Sequence, residues 1–164
     1  MQEQDIVALT GWLLEAGLRG ENEEGLIRGF GERLAAAGCG VGGGRILVDT
    51  LHPLYEGRAF SWLSGAPEVA VFEYGATSDG EALERWRSTP FHRLEMSGDT
   101  HHLVTLDEIA VVDFSFFREL RDAGSGQALL LVDRFGEQGV IGPAECLYSA
   151  WGARDVEGFS PADV

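Results

Sequence analysis

The sequence predicts an α+β domain built on a central antiparallel sheet of five to six strands. Short runs that alternate at period two, such as Arg58–Leu63, are interleaved with segments whose apolar residues recur at helical spacing, such as Ile6, Leu9 and Leu13. The turns between consecutive strands are short, which favours antiparallel pairing over helical crossovers. The 164 residues, 45% of them apolar, suffice for a single domain around one well-buried core.

Asp5 to Ala16 reads as an amphipathic helix, with Ile6, Leu9, Leu13 and Ala16 on one stripe, Trp12 beside them and Gly17 at its end. Asn22 is an N-cap for a second helix, with Glu23 and Glu24 facing the positive end of its dipole and Leu26, Phe30 and Leu34 on one face. Gly38 to Gly44 reads as a flexible joint. It contains Gly-x-Gly-x-x-Gly at Gly38, Gly40 and Gly43, but a dinucleotide site needs that motif after a strand and before a helix, the reverse of its setting here. Arg45–Leu51 and Arg58–Leu63 form a hairpin around Pro53–Gly57, and Val69–Tyr74 is a third strand. A helix capped by Asp79 ends before Pro90. Thr89-Pro90 then starts another turn, with Phe91 and Leu94 inward and Gly98 as the stop. His101–Leu106 is a short strand. Asp113 caps a helix over Phe114–Ala123, with Phe117 and Leu120 on one face and Phe116 at its side. Gln127–Phe135 and Cys146–Trp151 are the remaining strands, separated by a turn region over Gly136–Pro143. Ser160-Pro161 reads as the start of a closing helix that Val164 cuts off. One domain is thus expected over 1–164, with N-terminal helices over 1–37, the sheet over 45–151 and the start of a linker helix over 160–164.

Charge removes several function classes. The formal net charge is −15, and all 12 basic residues are arginine. Such a surface repels polyanions, so nucleic acid is not an expected partner. Without lysine there is no Schiff-base chemistry and no Gly-Lys-Ser/Thr phosphate loop. Cys39 and Cys146 belong to no Cys-x-x-Cys pair and read as small buried hydrophobes in a reducing, cytoplasmic setting. The acidic N-terminus is not a signal peptide, and no apolar run approaches the roughly 20 residues of a membrane span. His92, His101 and His102 lack metal-ligand spacing, because adjacent strand residues point to opposite faces. Neither Glu23-Glu24 nor Asp107-Glu108 has the apolar shielding that splits a catalytic carboxylate pair, and there is no Gly-x-Ser-x-Gly elbow.

The run Thr50-Leu-His-Pro-Leu-Tyr-Glu-Gly-Arg-Ala-Phe-Ser-Trp62 resembles a signature of the N-terminal sensory region that precedes the catalytic domain in many bacterial class III adenylate/guanylate cyclases. Trp12–Gly20, Gly29–Gly38, Ser88-Thr-Pro-Phe91, Arg118–Gly124 and Gly158–Asp163 resemble further landmarks of that region, so the similarity spans roughly the whole chain. The chain departs from it at Ser125-Gly126-Gln127, where the family carries Thr-Asp-Tyr, and over the long segment Asp133–Glu145. The resemblance implies a GAF-like fold, with the N-terminal helices on one sheet face and a helical lid over residues 80–98 on the other. It implies a regulatory, sensory domain in cyclic nucleotide signalling, which binds a small molecule or relays a signal through a homodimer to a cyclase catalytic domain outside this chain. No catalysis is expected of the chain itself, and no cofactor is assigned. A ligand-free dimerisation module and a small enzyme are the alternatives.

Eight residues are candidates for the ligand site. His52, Tyr55 and Arg58 cluster at the first hairpin turn, Trp62 and Tyr74 offer sheet-side walls, and Trp86, Phe91 and His92 lie on the covering segment. The bland readings are turn chemistry for the first group and core packing for the aromatics. The cavity is expected on the sheet face opposite the terminal helices, roofed by Ala82–Gly98, with His52 or Arg58 binding an anionic group. Dimerisation is expected through the terminal helices, along the stripe of Ile6, Leu9 and Leu13 with Trp12.

Overall fold

In a computed structural model, residues 1–49, 56–75, 80–107, 114–134, 146–155 and 157–159 are described. The strands are β1 Val41–Asp49, β2 Gly57–Leu63, β3 Ala70–Tyr74, β4 His101–Thr105, β5 Gln127–Arg134 and β6 Cys146–Ala153. They form one six-stranded sheet in the order β3-β2-β1-β6-β5-β4, with every neighbouring pair antiparallel. Among the described residues there are five helices: α1 Glu3–Leu18, α2 Glu23–Ala36, α3 Gly80–Ser88, α4 Pro90–Ser97 and α5 Ser115–Asp122. The molecule is therefore α+β, and its first and last strands meet at the sheet centre.

Local chemistry sets several boundaries. The Gly25 N–H donates to Asn22 Oδ1 at 2.9 Å and caps α2. The His92 N–H donates to Thr89 Oγ1 at 3.2 Å, Pro90 opens α4, and Gly98 ends it at φ 79°. Phe114 occupies the N-cap position of α5. The capping roles expected of Asp79 and Asp113 lie outside the described residues, as does the closing helix over 160–164.

The glycine-dense stretch is not a flexible joint throughout. Gly42, Gly43 and Gly44 belong to β1. A Cβ on Gly44 would run into the Trp151 ring, and one on Gly43 would lie 2.6 Å from Leu63 and 2.9 Å from Leu120. These glycines extend the strand because bulky neighbours fill the space their side chains would take.

Side-chain parity divides the core in two. On one face, Phe60, Trp62 and Trp151 pack with Ile46 and Leu131 against Ile27, Phe30 and Leu34 of α2. The approach is close because a Cβ at Gly31 would lie 2.5 Å from the Trp62 ring. On the other face, Val104, Leu130, Val132, Tyr148 and Ala150 pack against Phe91 and Leu94 of α4 and Phe116, Phe117 and Leu120 of α5. Buried Arg45 pins α5 to this face. Its Nε donates to Ser61 Oγ at 2.6 Å, its Nη2 lies 3.3 Å from Glu119 Oε2, and its guanidinium sits 4.4 Å from the Phe116 ring centre. Burial lowers the Arg45 pKa, and Glu119 opposes that shift.

α1 forms an outer layer on α2. Trp12 lies under the Arg33 guanidinium, 3.8 Å from ring centre to carbon, and Ala16 is buried. Leu9 and Leu13 are half-buried on the same side, whereas Ile6, expected on the packed stripe, is exposed. Val7, Leu14 and Leu18 are 66%, 65% and 89% exposed and make an outward apolar stripe.

Candidate functional site

A cleft of about 880 Å³ lies on the sheet face opposite α1 and α2. Its sheet side is formed by Leu47, Asp49, Tyr74 and Tyr148, and its helical side includes Trp86 of α3, Pro90 of α4 and Ser115 of α5.

The floor depends on one glycine. Asp49 pairs with Gly57 across β1 and β2, and Gly57 pairs with Tyr74 across β2 and β3. A Cβ at Gly57 would overlap the Tyr74 hydroxyl and ring. With glycine there, Tyr74 lies across β2, and its hydroxyl donates to Asp49 Oδ1 at 2.8 Å. The second floor tyrosine, Tyr148, lies near Glu95 of α4, whose charge acts on its hydroxyl. Trp86 meets the Tyr148 ring edge-on at 5.0 Å. Thr89 orients that tryptophan's helix end, because its Oγ1 donates to the Trp86 carbonyl at 2.7 Å while accepting from the His92 N–H.

Burial and charge act together here. The Asp49 carboxyl is pushed above the usual range, first by burial and then by the Glu56 and Glu95 charges, against a lowering by the Tyr74 hydrogen bond. Both tyrosines are pushed up as well, chiefly by burial, with Asp49 and Glu56 acting on Tyr74 and Glu95 and Cys146 acting on Tyr148. They therefore stay protonated and serve as donors rather than as nucleophiles or bases. Asp49, Glu56 and Glu95 are half-buried, while the arginines of the cleft, Arg85, Arg93 and Arg118, are exposed.

The eight sequence candidates separate. Tyr74 and Trp86 line the cleft. His92 is half-buried behind Trp86, with the two ring centres 6.5 Å apart. Phe91 is fully buried core, edge-on to Phe114 at 6.0 Å and to Tyr148 at 5.8 Å. Trp62 and Arg58 alternate onto the other sheet face. Trp62 packs over Gly31, and Arg58 pairs with Glu73 at 3.5 Å and with Glu23 at 4.0 Å. Strand parity thus places both on the sheet face away from the cleft that Tyr74 lines. His52 and Tyr55 lie outside the described residues.

Sequence reasoning missed Asp49, Glu95 and Tyr148, while Glu56 belongs to the polar group read at the first hairpin turn. Tyr148 had a readable signal: it sits two residues before Ala150, on the small-residue face of its strand, opposite the face of Trp151. The acids gave none, since their convergence depends on strand register. Among the described residues no group of three or more His, Cys, Asp or Glu side chains is placed to hold a metal ion, and no helix is long and apolar enough to cross a membrane. Comparison with protein-family models, curated proteins and solved structures finds no match to this chain.

Proposed function

We propose that this chain is a GAF-like regulatory domain whose small-molecule site is the cleft between the sheet and α3–α4, with those helices as its lid. The observation that carries this reading is the cleft itself: an open volume of about 880 Å³ with an aromatic wall and half-buried polar groups on its floor. Its position opposite the N-terminal helices agrees with the arrangement that the cyclase resemblance implies. In that reading the chain works in the cytoplasm and regulates a cyclase catalytic domain in cis. Native mass spectrometry of freshly purified protein tests it. A retained small molecule that is lost in Trp86→Ala supports the reading. Protein that carries no added mass, and whose melting temperature no metabolite in a broad library changes, refutes it.

The outer helix α1 favours a second element of the proposal, a homodimer. Val7, Leu14 and Leu18 recur at i, i+7 and i+11 on one exposed side. Glu3 and Asp5 stand at one end of α1, and Arg19, paired with Glu15 of its own helix at 3.7 Å, just past the other, so two copies packed antiparallel about a two-fold axis would bring ends of opposite charge near each other. A second copy of this chain is the occupant proposed for that stripe. Sedimentation at tens of micromolar should give a dimer that Leu14→Arg converts to monomer. A wild-type monomer at that concentration refutes the interface. A dimer combined with an empty, ligand-indifferent cleft returns the ligand-free dimerisation module.

A further inference from the structure

We propose that the cleft selects an organic cation, an ammonium or guanidinium head on an aromatic or aliphatic body, rather than an anion or a metal ion. The inference rests on the reading of the cleft as a ligand site and adds the chemistry of its occupant. The argument begins with where the charges lie. The cleft holds three acids and three arginines, but the acids are half-buried and the arginines are exposed. Of the charged groups lining the cleft, Asp49 and Glu95 lie deeper than Arg85, Arg93 and Arg118. Arg85 is already engaged with exposed Glu81 at 3.9 Å.

Asp49 and Glu95 make no ion pair with any described residue; Asp49 instead receives the Tyr74 hydroxyl, and the Glu95 charge acts on Tyr148. A carboxylate that accepts one hydroxyl keeps further lone pairs free. The Tyr74 hydroxyl is thus spent on Asp49, and what the two acids offer on the floor is acceptor capacity, which an N–H-rich cation satisfies and a carboxylate or phosphate does not. The Glu56 and Glu95 charges also raise the proton affinity of Asp49, a repulsion that a bound positive charge relieves.

The aromatic wall points the same way. Trp86 and Tyr148 stand edge-to-face at 5.0 Å, and with Tyr74 they give three rings on one cleft, a setting in which ring quadrupoles attract a cation. A metal ion fits less well, because the described acids do not come together as a ligating group. At longer range a chain of net charge −15 steers cations inward and anions away.

Isothermal titration of the full chain at neutral pH tests the charge with body-matched probes: 2-phenylethylammonium, 2-phenylethanol, 3-phenylpropionate and calcium chloride. The ammonium is expected to bind about tenfold or more tighter than the alcohol, from one charged hydrogen bond plus ring contact. Asp49→Asn and, separately, Glu95→Gln should each reduce that preference severalfold while circular dichroism stays that of the wild type. The second variant keeps the test decisive if the first unfolds. Preference for the alcohol or the propionate overturns the cation assignment and leaves the ligand site standing. Calcium binding that competes with the ammonium also overturns it, in favour of a metal. Binding of none of the four overturns the cation assignment, and the ligand-site reading then stands or falls by the retained mass and the metabolite library.

Discussion

Phe91→Ala separates core from cleft at the place where the two touch. The Phe91 side chain has no exposed surface, and its ring sits edge-on to Phe114 and Tyr148 at 6.0 and 5.8 Å. Removing it empties a site walled by other fully buried groups, among them Phe117 and Leu130, which cannot collapse inward without disturbing the sheet. The cost should fall in the upper part of the roughly 3–5 kcal/mol range for a buried Phe→Ala change. At about 2–4 °C per kcal/mol for a chain of this size, the melting temperature should drop by roughly 8–20 °C. Trp86, half-buried at the cleft, should lose less than half as much stability on truncation, because much of its surface is already in contact with water. Urea unfolding followed by circular dichroism measures both, with equal m-values as the check that the unfolded states are comparable. If Phe91→Ala lies within about 1 kcal/mol of the wild type, or if Trp86→Ala costs more than Phe91→Ala, the division into packed core and open cleft is wrong.

Three further outcomes follow from particular contacts. Gly31→Ala places a Cβ 2.5 Å from the Trp62 ring and should cost roughly 1–3 kcal/mol by forcing α2 off the sheet, whereas Gly17→Ala on α1, with open space around it, should be neutral or stabilising in the same unfolding assay. Thr89→Ala removes the α4 cap at His92 and should cost about 0.5–2 kcal/mol, with Thr89→Ser restoring most of it. Asp49 has a raised pKa in the folded protein, so its proton stabilises the fold at low pH, and that contribution is lost as pH rises through the folded value. Asp49→Asn keeps an acceptor for Tyr74 without the charge. It should therefore be more stable than the wild type at pH 7, with the gap closing as pH falls toward the ordinary Asp value of 3.8; a gap that widens on acidification contradicts the sign.

The elements that local chemistry specifies were readable from sequence. Asn22, Thr89-Pro90 and Gly98 mark helix ends because caps and left-handed stops act over three or four residues, and the antiparallel sheet followed from period-two runs joined by short turns. Gly42, Gly43 and Gly44 defeated that reading because the reason for glycine there lies elsewhere, in Trp151, Leu63 and Leu120 and in the Ala153–Arg154 backbone. Propensity alone turns such a stretch into a hinge; only the neighbour's ring makes it a strand. The stripe on α1 was half right for a similar reason. Leu9, Trp12 and Leu13 face α2, but Ile6, Val7, Leu14 and Leu18 belong to the outer surface, and the helical period does not say how many layers lie beneath a helix.

The site was less legible than the fold because its membership is decided by register between strands. Within β2 the alternation of Arg58, Phe60 and Trp62 against Ala59 and Ser61 can be read directly, but which set faces the cleft depends on where α2 docks, and that turns on Gly31 beneath the Trp62 ring. The same register that carries Trp62 away carries Tyr74 in, since Gly57 sits between Asp49 and Tyr74 on three successive strands. An aromatic inventory weighs Trp62 and Tyr74 alike; the pairing puts them on opposite faces. The acids of the cleft follow the same logic. Asp49 and Glu95 lie 46 positions apart in sequence and on different elements, one at the end of β1 and one in α4, so no spacing rule links them. What places them on one cleft is that β1 and β6 are neighbours, which sets Asp49 two residues along from Leu47, the partner of Tyr148, while Tyr148 in turn reaches Glu95. The charge of the cleft floor is therefore a property of the topology, and the substitutions at Asp49 and Glu95 probe it more directly than any change to the aromatic residues that composition alone makes conspicuous.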